Sequence, residues 1–556
     1  MNRWRSQSSL GVPEGALTRG LYRSMGYTDE DFRKPVIAIV NTWNTVCPGH
    51  FCLNQVASEV RKGITQNGGM AVEFGTIGPC DGIAQGNEGM TYILPSREVI
   101  LHSVEVMVEA HRFDGLVLLG SCDKTVPALL MAAARLDLPT ILVNGGPMEP
   151  GTRHGRDIDV NEIEIAVGEY QAGKIDLAEL TYVEKSACPT PGSCSMIGTA
   201  NTMSCLSEAM GLSLPGSATI PATYSARLQA ANESGRRVVD LVREGVTARQ
   251  IITAPAMENA IRVGLAIGGS TNLVLHLLAL AEEANLPLQI DDFDRLSKET
   301  PYIASIMTAS EYDMVDFHRA GGIPAVMRQL LPLLHGDALT VSGCSIRENV
   351  KDARIEDERV IRPLANPFKP DGGLAIMRGN LAPQSAVAKP SAISADRLQV
   401  EGPAVVFNSE QELIVAIGEK RIARGDILVV RYEGPKGGPG MREMYTPLKL
   451  LDGYGLAAYV YLITDGRFSG SNQGGFVGHI CPEAAEGGPL AVVENGDLIR
   501  IDVPNRRVDL LVGEEEMARR FEAWQGPAVR VKKGYLALYA DLVKPAFRGA
   551  VMKSES

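Results

Sequence analysis

Between Pro35 and Gly146 the chain alternates short apolar runs with longer segments whose apolar residues recur every three or four positions. PVIAIVNTW reads as a strand, and CLNQVASEVRKGI follows as a helix with Leu53, Val56, Val60 and Ile64 on one face. AVEFGTIG predicts a second strand and SREVILHSVEVMVEAH a second helix, with Ser96 as its N-cap. DGLVLLG, PALLMAAARLD with a helix start at Pro127, and PTILVNGG continue the alternation. Strands separated by helices need right-handed crossovers, so the expected fold class is an α/β N-terminal region with a largely parallel sheet. Helical periodicity then dominates from Asn201 to Leu334, interrupted by the Gly-rich GLAIGGSTN.

The pattern changes near Asp352. DARIEDERVIRPLANPFKPDGG carries Pro and charge without periodicity, and residues 352–394 read as a connecting segment. Beyond it, PAVVF, ILVVRYEG, AAYVYLITDG, PLAVVENGDLIRIDV and RVDLLV are punctuated by Gly and predict a domain of mostly β character. The expected organisation is therefore an N-terminal domain over 1–351, the connection, and a C-terminal β-rich domain over 395–556. No internal repeat or low-complexity tract is present.

With 45% apolar and 22% charged residues, the 556-residue chain can bury a large core, which excludes global disorder. Lys and Arg number 54 against 66 Asp and Glu, a net charge of −12. That balance argues against a nucleic-acid or anionic-membrane partner, because phosphate affinity needs clustered positive charge. No apolar stretch reaches the ~18 residues of a membrane span. The opening MNRWRSQSSLGVPEG has no signal-peptide core, so a cytoplasmic location with nine reduced, metal-competent cysteines is expected. The 58 glycines exceed the usual ~7% and suggest close backbone approaches to something small.

The loops after the first three strands concentrate unusual chemistry: NTWNTVCPGHFC, GPCDG and GSCDK. Ligands of open parallel sheets sit beyond the carboxyl ends of the strands, and two Cys-Asp pairs at equivalent positions are hard to attribute to packing. SACPTPGSCSMIGTANTM adds Cys188 and Cys194 in a turn before a helix, whose N-terminus favours thiolates and anions. Sulfur selects Zn, Cu(I) or Fe–S clusters, and carboxylate oxygen selects Mg²⁺ or Mn²⁺. The pairs therefore point to a soft site with Cys80, Cys122 and Cys194 beside a hard site with Asp81 and Asp123; the bland alternative is small buried thiols and turn aspartates. In the C-terminal part, RYEGPKGGPGMREMYTP fits no nucleotide motif. Its glycines would let backbone N–H groups approach an anion, with Glu443 as a hard-metal ligand. Ser469 in ITDGRFSGSNQGG reads as a turn residue on local grounds, and His479 as structural.

Eight long blocks, from CDGIAQGNEGMTYILPSRE and GSCDKTVPALLMAAARL to YEGPKGGPGMREM and ITDGRFSGSNQGGFVGHICPEAAEGGPLAVVENGDLI, strongly resemble the dihydroxyacid and sugar-acid dehydratase superfamily. They run in unbroken order over nearly the whole chain. The resemblance implies an α/β region and a C-terminal β-barrel-like domain, with a site between them in a homodimer or dimer of dimers. It implies an iron–sulfur cluster, [2Fe–2S] or [4Fe–4S], next to Mg²⁺. Matched to the motifs, Cys122 and Cys194 are cluster ligands; Asp81, Asp123 and Glu443 hold Mg²⁺ with Lys124 as a carboxylated lysine; and Ser469 is the catalytic base. Many relatives carry a cluster cysteine where this chain has Gly49, so Cys80 is expected as the third ligand, with Cys47 in reserve and the other five cysteines structural. The implied activity is dehydration of 2,3-dihydroxy acids to 2-keto acids. The expected substrates are 2,3-dihydroxyisovalerate and 2,3-dihydroxy-3-methylvalerate, in valine and isoleucine biosynthesis. The alternatives are a sugar-acid (aldonate) dehydratase and, more remotely, a non-catalytic Fe–S electron carrier. Gln85, Asn87 and Ile93 lie where branched-chain enzymes commonly differ, which makes them candidates for a changed pocket.

Overall fold

The computed structural model describes residues 4–307, 310–470 and 474–552. The first four strands, β1 (Val36–Asn41), β2 (Met70–Gly75), β3 (Gly115–Leu119) and β4 (Thr140–Val143), form a parallel sheet in the order β2-β1-β3-β4. Every residue of β1, β3 and β4 is buried, which is why they read as continuous apolar runs rather than alternating ones. The helices Leu53–Gln66, Ser96–His111 and Thr125–Leu136 supply the crossovers.

Two expected helix starts are corrected. Ser96 is the first helical residue rather than the N-cap: Pro95 occupies the cap, and the Ser96 hydroxyl donates backward to the Ile93 carbonyl at 2.7 Å. Ile93 and Pro95 already have helical dihedrals after the turn Glu88–Tyr92, so no extended cap residue is needed. The third helix begins at Thr125, placing Pro127 inside the first turn, where its missing N–H costs nothing. The region from Asn201 to Leu334 is helical as expected, and Gly268 breaks it with φ +61° ahead of the fully buried start of Asn272–Ala284.

After a small hairpin of β5 (Gly151–Arg153) and β6 (Arg156–Ile158), the remaining strands build one eight-stranded sheet. These are β7 (Ala375–Met377), β8 (Ser385–Ala388), β9 (Gln399–Phe407), β10 (Ile427–Val430), β11 (Tyr461–Thr464), β12 (Gly475–Cys481), β13 (Leu498–Asp502) and β14 (Arg507–Leu510). Their order is β14-β13-β9-β10-β11-β12-β8-β7. The two edges meet where Arg378 N donates to Arg506 O and Val508 N donates to Arg378 O, each at 2.8 Å, so the sheet is nearly closed and barrel-shaped. The 352–394 stretch, expected only to connect, contributes β7 and β8 to this sheet. Both strands are short and buried, with no alternation to reveal them. The centre, β9 to β12, is parallel. Parallel neighbours need crossovers, and the helices Glu410–Gly418 and Tyr445–Tyr454 provide two of them.

The two halves lock together by close backbone approach. Helix Asn161–Gln171 crosses helix Tyr445–Tyr454 at Gly168 and Gly453; a Cβ on Gly453 would lie 2.4 Å from the Ile165 carbonyl. The C-terminal tail returns to the first half, where fully buried Arg97 donates to the carbonyls of Gly549 and Ala550.

Candidate active site

The carboxyl ends of β1, β2 and β3 carry Cys47, Cys80–Asp81 and Cys122–Lys124 into one space, as strand topology requires. The sulfurs of Cys47, Cys80 and Cys122 all lie within 4.8 Å of one another, and the ligand atoms of Asp81, Cys122 and Asp123 form a second such group. Cys122 Sγ stands 3.7 Å from Asp81 Oδ1 and joins the two. The three thiols act on one another's protonation. Hydrogen bonds from Cys122 and Cys47 pull Cys80 down to about 3, and contacts with Cys47 and Cys80, added to burial, push Cys122 well up.

Across this space the chain segment after β10 brings in Glu443, fully buried and paired with equally buried Arg467. Lys124 Nζ lies 3.2 Å from Asp123, 3.7 Å from Glu443 and 3.9 Å from Asp81, the centre of a carboxylate trio. Burial and the neighbouring Asp123 push Asp81 well above the carboxylate range. Burial opposes the charge on Asp123, but Lys124, the hydrogen bond with Asp81 and the nearby Arg467 together hold it low. The N–H of Ala200 donates to Asp123 Oδ1 at 3.1 Å from the first turn of helix Thr199–Ala209.

A cavity of about 260 Å³ opens beside these carboxylates. Its polar wall includes Asp81, Gln85, Asp123, Glu443 and Ser469; Val160, Ile163, Met196 and Tyr445 make much of the remainder. Cys194 also faces it, on a turn that Asn201 clamps by donating to the Cys194 and Met196 carbonyls. Burial, with Asp81 and Asp123 adding repulsion, pushes the Cys194 thiol up.

The structure thus gathers Cys80, Cys122, Asp81, Asp123, Lys124 and Glu443 into one cluster and sets Cys194 and Ser469 on the adjoining wall. Cys47, held in reserve on sequence grounds, is the third sulfur by proximity. Arg467 was missed; an arginine two residues before the candidate serine was the available signal. Among the three departures, Gln85 lines the cavity, and its Nε2 lies 3.4 Å from Glu443. Asn87 instead caps the turn Glu88–Tyr92 by accepting from Gly89 N–H, and Ile93 packs against Ala84 and Met90. The glycine-rich GPKGGPG does cradle a carboxyl group, but it is the protein's own: the N–H groups of Lys436 and Gly437 donate to Glu483. His479 is buried, with burial and Arg467 pulling it down to about 3.

Residues 34–349 match the model of the dihydroxy-acid/6-phosphogluconate dehydratase N-terminal domain, and residues 359–550 match that of the C-terminal domain. The chain belongs to this dehydratase family. It is 48% identical over 551 residues to the dihydroxy-acid dehydratase of Caldanaerobacter subterraneus subsp. tengcongensis, covering 99% of each chain. It is 50% identical to that of Pyrococcus furiosus and 49% identical to that of Ignicoccus hospitalis, covering 97% of this chain and 98% of the relative in both cases. This dehydratase is therefore a hydro-lyase, and the electron-carrier alternative falls. Among the described residues, no helix of the dehydratase is long and apolar enough to cross a membrane.

Proposed function

We propose that this dehydratase converts 2,3-dihydroxy carboxylic acids to 2-keto acids, with 2,3-dihydroxyisovalerate and 2,3-dihydroxy-3-methylvalerate as its substrates in valine and isoleucine biosynthesis. The observation that carries this reading is the single cavity in which carboxylates and Ser469 adjoin an apolar wall. The polar side suits a carboxylate and two hydroxyls, and the apolar side suits a branched alkyl group. Full-length similarity to proteins named dihydroxy-acid dehydratase supports the same substrate class.

An iron–sulfur cluster and Mg²⁺ belong to the proposal, and the donor chemistry fits both: crowded sulfurs for iron, buried carboxylates for magnesium. Cys80, Cys122 and Cys194 would hold the cluster. Asp81, Asp123 and Glu443 would hold Mg²⁺, with Lys124 as a carboxylated lysine. Cys194 is preferred over Cys47 because it is the sulfur on the cavity wall. When bound, these groups would supply Lewis acidity for hydroxide departure and for charge developing at the carboxylate and C2 oxygen.

The protein's own residues do the remaining work. Ser469, as its alkoxide, takes the C2 proton, the C3–O bond breaks with loss of hydroxide, which leaves with that proton as water, and the resulting enol tautomerises to the ketone. Arg467 fixes Glu443 and the Ala200 N–H fixes Asp123, so the acidic set is preorganised. The positive end of helix Thr199–Ala209 faces the cavity and favours the substrate carboxylate. The assembly proposed is a cytoplasmic homodimer, for which the apolar groove of Val46, Ile77, Tyr92 and Tyr535 offers a surface.

The test is keto-acid formation by anaerobically reconstituted protein with Mg²⁺, comparing 2,3-dihydroxyisovalerate with gluconate, xylonate and arabinonate. A higher kcat/KM for the branched acid is expected. Preference for a sugar acid would transfer the enzyme to carbohydrate catabolism, a reading that the Gln85 carboxamide on the cavity wall favours, since it can bond an additional hydroxyl.

A further inference from the structure

Lys389 follows β8 and is only 1% exposed. Its Nζ donates to the carbonyl of Gly470 at 2.8 Å, and no carboxylate lies within ion-pair distance among the described residues. The charged group acting on it is another cation, Lys449; burial, reinforced by that repulsion, pulls Lys389 down to about 7. Keeping an ammonium in such a place lowers stability, and folds tolerate that mainly where function demands it.

Gly470 directly follows Ser469, and the turn carrying both is held from several directions. Thr271 Oγ1 donates to the Phe468 carbonyl at 3.4 Å on one side of the serine, and Lys389 holds the Gly470 carbonyl on the other. Gly470 has no room to move inward: a Cβ there would lie 2.8 Å from both the Ile197 carbonyl and Ser270 Cβ. Lys389 itself is not among the residues lining the cavity.

We propose that Lys389 is a positioning residue for proton abstraction: by holding the Gly470 carbonyl it sets the direction in which the Ser469 hydroxyl meets the substrate. This inference rests on Ser469 being the base. Because Lys389 does not line the cavity, its loss acts on the chemical step and leaves substrate binding intact. Misdirection of a reacting group by about 1 Å costs on the order of 100-fold in rate.

The test compares reconstituted holoenzyme with Lys389→Met, Lys389→Gln and Ser469→Ala, reading kcat, KM, thermal midpoint and cluster absorbance. Lys389→Met is expected to lose about 10- to 100-fold in kcat with KM nearly unchanged. Its thermal midpoint should be equal or higher, because an apolar side chain of similar size replaces a buried charge. Lys389→Gln keeps an N–H donor and recovers part of kcat. A Lys389→Met enzyme with wild-type kcat overturns the proposal. So does parallel loss of thermal stability and activity in both lysine variants, which marks a purely structural lysine. Normal turnover by Ser469→Ala instead removes the base assignment itself; an inactive Ser469→Ala beside a normal Lys389→Met sinks this inference alone.

Discussion

At the scale of single residues, the site is a sorting problem among four thiols. Three of them crowd together behind the carboxylates, while Cys194 stands on the cavity wall. If Cys80, Cys122 and Cys194 are the ligands, changing any one to Ser abolishes the visible absorbance of the anaerobically reconstituted protein, and Cys47→Ser retains it. Loss in Cys47→Ser with retention in Cys194→Ser would exchange the two assignments. Residue identity alone carried the hard-ligand candidates, because Cys-Asp pairs after strands have few packing explanations. It placed Cys47 only in reserve for Cys80 and could not see that both share one group of sulfurs with Cys122, since that depends on distances between loops far apart in sequence. Nor could it tell that the GPKGGPG amides are already satisfied by Glu483, forty or more residues downstream.

At the scale of elements, the Gly168–Gly453 crossing fixes how helix Tyr445–Tyr454 meets the segment that begins with Val160 and Ile163. Gly453→Ala places a Cβ 2.4 Å from the Ile165 carbonyl and 2.6 Å from Gly168 Cα, so the helices must separate. Overpacking of this kind costs about 1–3 kcal/mol, and the displaced wall should raise KM as well as lower the thermal midpoint. Gly418→Ala is the control: it ends helix Glu410–Gly418 with open space around its Cβ, and leaves both values unchanged or raises the midpoint slightly. A neutral Gly453→Ala would show that the crossing does not set the cavity. The first four strands were legible from their apolar runs, as were the long amphipathic helices. Strands β7 and β8 were not, because runs of three and four residues, all buried, carry no period.

At the scale of the molecule, several carboxyl groups far from water shape the pH response. Burial pushes Glu208 to about 7, Glu433 to about 7 and Glu483 to about 8. A folded pKa above the unfolded value means that the native state holds the proton more tightly. The stabilisation is complete below the unfolded pKa of ~4.3 and is lost as pH rises through 7 to 8. The thermal midpoint should therefore fall between pH 6 and pH 9; a flat or rising profile would show that these groups are compensated in the folded state. The same tight burial lets the near-closed sheet and the returning tail hold the two halves as one body around the cavity.

The sequence by itself determined the order of strands and helices in the first half, the family, and the residue types available for chemistry. Each of these is written locally, in periodicity or in contiguous motifs. Only the tertiary structure decided which thiols share a space, that Gln85 and not Asn87 faces the cavity, that Arg467 seals Glu443, and that Lys389 reaches the serine turn. Those facts are relations between segments hundreds of residues apart. They depend on sheet order and on glycine-permitted backbone contact, neither of which any short window of sequence records.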